Sequence, residues 1–186
     1  MSEAIDEHFT TTVSAWPDGG ATGSEAWPAA SALTVEKALA LFDAQLGSRH
    51  LDLAARWLRS HGKGFYTIGS SGHEGNAAVA AALRPTDPAL LHYRSGGVYL
   101  ARAAQVAGSD PVRDVLLGLV AAAAEPISGG RHKVFGHHDL GVIPQTSTIA
   151  SHLPRAVGVA FATARARKLD VACRWPDDAV TVCSFG

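Results

Sequence analysis

An uninterrupted apolar run near the end of the chain constrains the fold more than any other feature. Residues 179–184 read AVTVCS and have the length of one β-strand. A strand without polar alternation is typical of the centre of a parallel sheet covered on both faces. Residues 89–93 (ALLHY) predict a second, short buried strand. Helical segments lie between the two runs, so the order of elements predicts an α/β architecture. Two strands are too few to complete a doubly wound sheet.

Helical periodicity accounts for most of the remaining chain. Thr34 is placed to cap a first helix, and Gly47 is predicted to end it. Residues 125–147 lack periodicity and are rich in Gly and His, which is typical of a functional or mobile loop. The last helix is small and apolar over most of its surface, so we expect it to be buried. The predicted helices span residues 34–46, 49–60, 74–83, 97–106, 111–124 and 149–168.

Composition limits the domain organisation. The chain has 186 residues, about the length of one domain, and 47% of them are apolar, which is enough for one sizeable core. Residues 10–31 are rich in Thr, Gly, Ser, Ala and Pro. We therefore predict an extended N-terminal arm over residues 1–31, with Trp16 and Trp27 as anchors onto another surface. Residues 32–186 are predicted to form the α/β domain.

Charge and cysteine usage exclude several classes of protein. The net charge of −1 argues against a general nucleic-acid binder or a polybasic membrane anchor. The longest apolar stretch, residues 116–124, is far too short to cross a bilayer. The first residues are acidic, unlike a signal peptide, and two cysteines cannot build a disulfide framework. We therefore expect a soluble, cytoplasmic protein with no nucleic-acid or membrane partner.

Tyr93 and Arg94 are the first candidate binding residues. They directly follow the strand-like LLH of residues 90–92. Ligands of open α/β sheets bind beyond the carboxyl ends of strands. The planar guanidinium group suits phosphate oxygens, and a phenol hydroxyl can donate beside it. The alternative is an arginine in a structural ion pair with the tyrosine packed on it.

Two further segments place polar groups at predicted helix starts. Residues 69–75 (GSSGHEG) form a turn whose backbone N–H groups would attract an anion, although the turn matches no known phosphate-binding glycine pattern. A tight turn capped by Ser71 is the alternative that we favour. Residues 145–154 (QTSTIASHLP) bring hydroxyls to the start of the last helix, where plain capping is the alternative.

The long loop carries a histidine group. His132, His137 and His138 are followed by Asp139, so imidazoles and a carboxylate lie close together in sequence. Zinc accepts such ligands, but no cysteine joins them and their spacing matches no established zinc pattern. A solvated or substrate-facing loop is the preferred interpretation. The chain also lacks the G-x-S-x-G elbow of many hydrolases.

Taken together, residues 62–186 resemble the alpha subunit of the decarboxylating component of thiamine-diphosphate-dependent 2-oxo acid dehydrogenases. The resemblance implies the thiamine-diphosphate-binding fold, a three-layer α/β/α structure with a parallel sheet, which is incomplete in this chain. It rests on segments in the family's order. The segments are GKGFYTIGSSGHEGNAAVAAAL, PTDPALLHYRSGGVYLAR, SGGRHKVFG, QTSTIASHLPRAVGVAFATARAR and AVTVCSFG, the last resembling the strand that leads into the family's Gly-Asp-Gly motif.

The resemblance implies roles for individual residues. Tyr93 and Arg94 match the family's Tyr-Arg pair, which holds the cofactor diphosphate. Ser147 matches a serine near the aminopyrimidine, and Ile149 matches the bulky apolar residue that supports the bent cofactor. Gly186 matches the first glycine of the Gly-Asp-Gly motif, so it is expected at the cofactor.

Other positions depart from the family pattern. Thr146, Ser151 and His152 match a segment that binds a monovalent cation in some relatives. The family has Gln where this chain has His152, so the cation is not carried over to this chain and the question of a cation site stays open. Ser95 stands where many relatives have Glu. The loop after Arg131 lacks the family's His-Tyr-Gly. By position alone, His137 or His138 is a candidate there as a proton donor or as an acceptor for the acyl intermediate.

Groups that are essential in the family have no counterpart in these residues. The magnesium ligands of the family lie beyond the position of Gly186, so we predict no metal ligand here. The activating Glu comes from the beta subunit, or from the later half of a fused alpha–beta chain. We therefore interpret the chain as an N-terminal fragment that is inactive by itself.

The complete enzyme is expected to decarboxylate a 2-oxo acid, pyruvate or a branched-chain one, and to pass the acyl group to lipoamide. The implied partners are a beta portion and a lipoyl-bearing acyltransferase component in an α2β2-type assembly. Three alternatives remain open. They are a different thiamine-diphosphate enzyme of transketolase-like or acetoin-cleaving type, a truncated homologue that only binds a partner, and a zinc-binding protein that uses the histidine loop.

Overall fold

The computed structural model describes residues 4–16, 33–131 and 135–185. The chain divides into two units, Met1–Ala38 and Leu39–Gly186. Helix α1 (Ala4–Ser14) belongs to the first unit and occupies part of the segment predicted as an N-terminal arm. Ile5, Phe9 and Val13 recur every fourth residue, which is a helical spacing. The rest of the predicted arm, residues 17–31 with Trp27, lies outside the described residues.

One long helix replaces the first two predicted helices. Helix α2 (Val35–Ser60) continues through Gly47, so the prediction that this glycine ends a helix is wrong. A Cβ atom at Gly47 would lie 2.5 Å from the side chain of Leu100. The glycine therefore permits close packing in the second unit.

A buried helix lies at the centre of the second unit. The turn of residues 69–75 leads into a 3₁₀ helix (His73–Asn76) and helix α3 (Ala77–Ala81), which together are shorter than predicted. All eight residues of helix α4 (Gly96–Ala103) are buried. A Cβ atom at Gly97 would lie 2.6 Å from the carbonyl oxygen of Glu74, so α4 packs against the backbone of the 3₁₀ helix.

Helix α5 (Pro111–Leu119) completes the helical part of the core. The Asp110 side chain accepts a hydrogen bond from the backbone N–H of Arg113 at 3.2 Å, as its predicted capping role requires. Val115 and Leu119 face the core. The helix ends before the predicted residue 124, and Ala121 has a left-handed φ of 52°.

The two predicted strands pair in parallel, as the sequence indicates for an α/β fold. Strand β1 (Ala89–Leu90) pairs with strand β2 (Val182–Cys183), with Ala89 opposite Val182. On its other side, Ala89 forms a parallel bridge with Val142. The β1 strand is therefore internal and fully buried. The β2 strand is only half-buried, so the expectation that it is covered on both faces is wrong.

The last helix differs most from its prediction. Helix α6 (Leu153–Leu169) is confirmed as a helix, but only Ala156 and Thr163 in it are buried. Val157 and Phe161 are each 70% exposed, so the expectation of a buried helix is wrong. Among the described residues, no helix combines the length and apolar character that a bilayer crossing requires.

Candidate functional site

Tyr93 and Arg94 lie between β1 and the start of α4, at the carboxyl end of the buried strand. Arg94 Nη1 donates to the carbonyl oxygen of Gly69 at 2.5 Å and to Ser71 Oγ at 3.2 Å. The guanidinium carbon lies 5.3 Å from the centre of the Tyr93 ring. Among the described residues, no hydrogen bond leaves Arg94 Nε or Nη2. One edge of this guanidinium group is therefore available to an oxygen ligand.

The turn of residues 69–75 is held in place by the side chain of Asp52. Its Oδ2 accepts a hydrogen bond from the backbone N–H of Ser70 at 2.8 Å, and the Ser48 and Ser70 hydroxyls lie 2.6 Å apart. Burial raises the pKa of Asp52. Ser71 does not cap the following 3₁₀ helix, because Gly72 occupies the cap position and no side chain forms a capping hydrogen bond there. The Ser71 hydroxyl faces Arg94 instead.

Ser147 also lies near Tyr93 and Arg94, through its contact with Tyr66. Burial raises the pKa of Tyr66, and a hydrogen bond with Ser147 opposes this effect. Electrostatic interactions with the neighbouring Tyr93 and Arg94 also act on the pKa of Tyr66, so these four side chains form one group. The Gln145 amide donates to the carbonyl oxygen of Leu91, which ties the segment before Ser147 to the end of β1. The sequence analysis missed Tyr66 because residues 65–68 are too short to show periodicity.

The remaining predicted site residues lie at the margin of this group or outside it. Ile149 is in the turn before α6 and is 65% exposed, so it presents an apolar side chain to solvent two residues after Ser147. The hydroxyls of Thr146 and Thr148 lie 3.4 Å apart, and Ser151 Oγ donates to the Thr148 carbonyl oxygen. Gly186 and His132 lie outside the described residues.

His92 forms a second layer behind Arg94. Its Nδ1 accepts a hydrogen bond from the backbone N–H of Arg94 at 3.0 Å, so the neutral ring carries its proton on Nε2. Nε2 is buried and has no partner among the described residues. Burial lowers the pKa of His92 to about 4, and the nearby charges of His73, His152 and Arg94 act in the same direction. The ring is therefore neutral at physiological pH.

His152 is a further imidazole close enough to His92 to affect its pKa. Its Nε2 donates to the carbonyl oxygen of Ser184 at 2.7 Å, which fixes the end of β2 against the start of α6. Its Nδ1 is buried without a partner among the described residues. The sequence analysis noted His152 only as a departure from the family, and His92 only as part of a strand. Their proximity depends on the parallel pairing of β1 and β2, which no local pattern reveals.

The histidine loop lies in a different place. His137 Nδ1 accepts a hydrogen bond from the backbone N–H of Asp139 at 3.2 Å, and the exposed His138 and Asp139 side chains form a pair at 2.7 Å. Within residues 4–16, 33–131 and 135–185, no group of three or more His, Cys, Asp or Glu side chains is arranged to hold a metal ion. The described residues therefore lend the zinc hypothesis no support.

Comparison with known proteins identifies a relative for most of the chain. Over 145 residues, which is 75% of this chain, the sequence is 32% identical to the 2-oxoisovalerate dehydrogenase subunit alpha of Bacillus subtilis (strain 168). The chain is similar to a 2-oxo acid dehydrogenase alpha subunit. This similarity supports the family and the general enzyme class that the sequence motifs predict. The matched region is 42% of that relative's length, so the chain spans less than half of it. No protein-family model matches the chain.

Proposed function

We propose that this chain is the front part of the alpha component of a thiamine-diphosphate-dependent 2-oxo acid dehydrogenase, in which Tyr93 and Arg94 bind the cofactor diphosphate. The observation that carries the proposal is the pattern of hydrogen bonds made by the Arg94 guanidinium group. Its Nη1 is engaged by Gly69 and Ser71, while Nε and Nη2 have no hydrogen bond among the described residues. A guanidinium group fixed in this way presents two parallel donors to phosphate oxygens.

The donor set around Arg94 fits such a group. Tyr66, Tyr93 and Ser147 supply hydroxyls, and Arg94 supplies positive charge next to them. No carboxylate hydrogen-bonds to Arg94 among the described residues, so its charge is left for an anionic ligand. Bound thiamine diphosphate would supply the electron-accepting ring that decarboxylation of a 2-oxo acid requires.

The chain's own residues would bind and orient this group. His92 Nδ1 accepts a hydrogen bond from the backbone N–H of Arg94. This bond would help to position the edge of the guanidinium group that binds the diphosphate. Ser147 would lie near the aminopyrimidine, and the exposed side chain of Ile149 would support the bent cofactor. Gly186 would start the glycine motif at the cofactor, and magnesium would be held by residues beyond it.

The expected partners are supported by the surface of α6. Val157 and Phe161 in α6 are both exposed, as is Ile149 just before it. Apolar side chains exposed together are typical of surfaces that another polypeptide covers. We propose a beta portion, fused or separate, as that polypeptide, in an α2β2-type cytoplasmic assembly. The substrate would be pyruvate or a branched-chain 2-oxo acid, with acyl transfer to a lipoyl-bearing acyltransferase.

The first test is the intact mass of the naturally expressed polypeptide. A mass well above 19.3 kDa would mean that the natural polypeptide is longer, and we expect the magnesium motif in its additional residues. Thiamine diphosphate with magnesium should then bind that polypeptide, and Arg94→Gln should weaken binding at least tenfold. Arg59→Gln is the matched control, because Arg59 is an exposed arginine in α2. Equal affinity in both variants would contradict the assignment of Arg94.

A natural chain that ends at 19.3 kDa would favour the second candidate, a non-catalytic homologue that binds a partner through α6. In either case we expect no decarboxylation of any 2-oxo acid by residues 1–186 alone, because the activating Glu and the magnesium ligands are expected elsewhere. Activity above the blank in a dye-reduction assay of this stretch would contradict that expectation.

A further inference from the structure

The peptide group between Gly69 and Ser70 is held by hydrogen bonds on both sides. Its N–H donates to Asp52 Oδ2 at 2.8 Å, and its carbonyl oxygen accepts from Arg94 Nη1 at 2.5 Å. This peptide bond is trans, so its N–H and C=O bonds lie in one plane and point in opposite directions. A hydrogen bond that fixes the N–H therefore also fixes the direction of the carbonyl group.

Helix α2 presents two polar side chains to this peptide group. Ser48 and Asp52 are four residues apart, which places them on the same face of the helix. The Ser48 and Ser70 hydroxyls lie 2.6 Å apart, and Asp52 Oδ1 accepts a longer hydrogen bond, 3.4 Å, from the Ser70 hydroxyl. Both serines are buried, and the Asp52 side chain is only 11% exposed. Water therefore competes little for these hydrogen bonds.

Gly69 allows the carboxylate to approach the backbone this closely. A Cβ atom at this position would lie 2.9 Å from Asp52 Oδ2 and 3.1 Å from the carboxyl carbon. A side chain at residue 69 would therefore displace the carboxylate from the Ser70 N–H. This glycine gives a way to break the contact while the charge of Asp52 stays in the chain.

Stability alone does not account for a carboxylate at this position. Burial raises the pKa of Asp52, and the charge of Glu74 acts in the same direction. Hydrogen bonds from Ser70 and the charge of Arg49, 3.9 Å away, oppose this effect. When folding raises the pKa of an acid, its ionisation costs stability as the pH rises above the ordinary value, here 3.8. Ionisable groups kept at such a cost are typical of functional sites.

We propose that Asp52 is a positioning residue for the candidate diphosphate site and acts on Arg94 through the Gly69–Ser70 peptide group. The carboxylate polarises this peptide group, so the carbonyl oxygen becomes a stronger acceptor for the guanidinium group. Among the described residues, Asp52 makes no direct hydrogen bond to Arg94. The arginine is thus oriented by a carboxylate without being paired with it, and its charge stays available for the diphosphate. The inference rests on the proposed function, because it takes Arg94 to bind the cofactor.

Binding of thiamine diphosphate with magnesium to the natural polypeptide, measured by equilibrium dialysis, tests the proposal. Asp52→Ala removes the charged acceptor and should weaken binding by about tenfold or more. Asp52→Asn keeps one oxygen for the Ser70 N–H and should restore binding to within about threefold of the unmodified protein. Asp43→Ala is the matched control, because Asp43 is an exposed aspartate in the same helix, and it should bind like the unmodified protein.

Gly69→Ala is the second variant, because Asp52→Ala leaves a buried N–H without its acceptor and can disturb folding. The added methyl group displaces the carboxylate without removing it. We expect this variant also to weaken binding by about tenfold or more.

A double-mutant cycle with Arg94→Met tests whether Asp52 acts through the arginine. Methionine has no donor for the Gly69 carbonyl, so Asp52→Ala should weaken binding by less than about threefold in that background. The proposal is overturned by unchanged binding in Asp52→Ala, by an equal loss in Asp52→Asn, or by the same loss from Asp52→Ala with and without Arg94. Failure of the unmodified polypeptide to bind the cofactor would contradict the proposed function, and this inference with it.

Discussion

Arg94 Nη1 donates to the carbonyl oxygen of Gly69 at 2.5 Å, and this contact joins two motifs that are 25 residues apart in sequence. The turn of residues 69–75 thereby acts on the candidate site through a backbone carbonyl. The sequence analysis considered this turn for its N–H groups, as an anion-binding site. In the structure, its contribution is to orient the arginine.

Replacing Arg94 with lysine should separate two contributions to cofactor binding, the positive charge and the planar arrangement of hydrogen-bond donors. Lysine keeps the positive charge but lacks the planar edge that Nε and Nη2 present. We expect Arg94→Lys to lose most of the affinity for thiamine diphosphate with magnesium, measured by equilibrium dialysis on the natural polypeptide. Arg59→Lys should bind like the unmodified protein. Full affinity in Arg94→Lys would show that charge alone is needed.

Gly97→Ala should destabilise the second unit. A Cβ atom there would lie 2.6 Å from the carbonyl oxygen of Glu74, a backbone atom that cannot move alone. We expect a loss of about 1–3 kcal/mol in the free energy of unfolding, measured by urea denaturation. Gly158→Ala in α6 is the matched control. A Cβ atom at Gly158 meets nothing within 4 Å, and alanine favours a helix by about 1 kcal/mol, so this change should stabilise.

Asp87→Asn should destabilise the junction of β1 and β2. The Asp87 carboxylate is buried and accepts hydrogen bonds from Arg84 and from the backbone N–H of Val180. Burial alone would raise its pKa, but these bonds lower the pKa to about 2. We expect a loss of about 1–3 kcal/mol at pH 7, since an amide cannot accept all of these bonds. Asp178→Asn is the control, because the side chain of Asp178 is 73% exposed. An equal loss in both variants would mean that burial of Asp87 is unimportant.

His92 should make stability depend on pH. Its pKa in the folded chain is about 4, below the ordinary value of 6.5. As the pH falls below about 6.5, the unfolded chain takes up a proton at His92 that the folded chain does not. Stability should therefore fall between pH 6.5 and 4, by at most about 1.4 kcal/mol per unit, and His92 should contribute no further change above this range.

Unfolding curves recorded from pH 4 to 8 check this dependence. His92→Gln should flatten the curve, whereas His50→Gln, at an exposed histidine, should leave it unchanged. An unaltered slope in His92→Gln would assign the dependence to other groups.

Local sequence patterns predicted the elements that depend on neighbouring residues along the chain. The caps at Thr34 and Asp110, the helix that became α6 and the two strands follow from spacing and turn chemistry. The Tyr93–Arg94 pair was singled out in the same way, because a strand end followed by an arginine is visible in the sequence, and its binding role stays a prediction. The resemblance to 2-oxo acid dehydrogenases came from short motifs in order.

The tertiary structure decided what depends on contacts between distant residues. Gly47 stays inside a helix because Leu100 packs against it, and α6 is exposed because little of the described chain covers it. Tyr66, His92 and His152 join the candidate site only because segments that are distant in sequence pack together, as β1 and β2 do when they pair in parallel. Propensity acts over a few residues, whereas burial and the loss of hydrogen-bond partners are set by the packing of the whole unit.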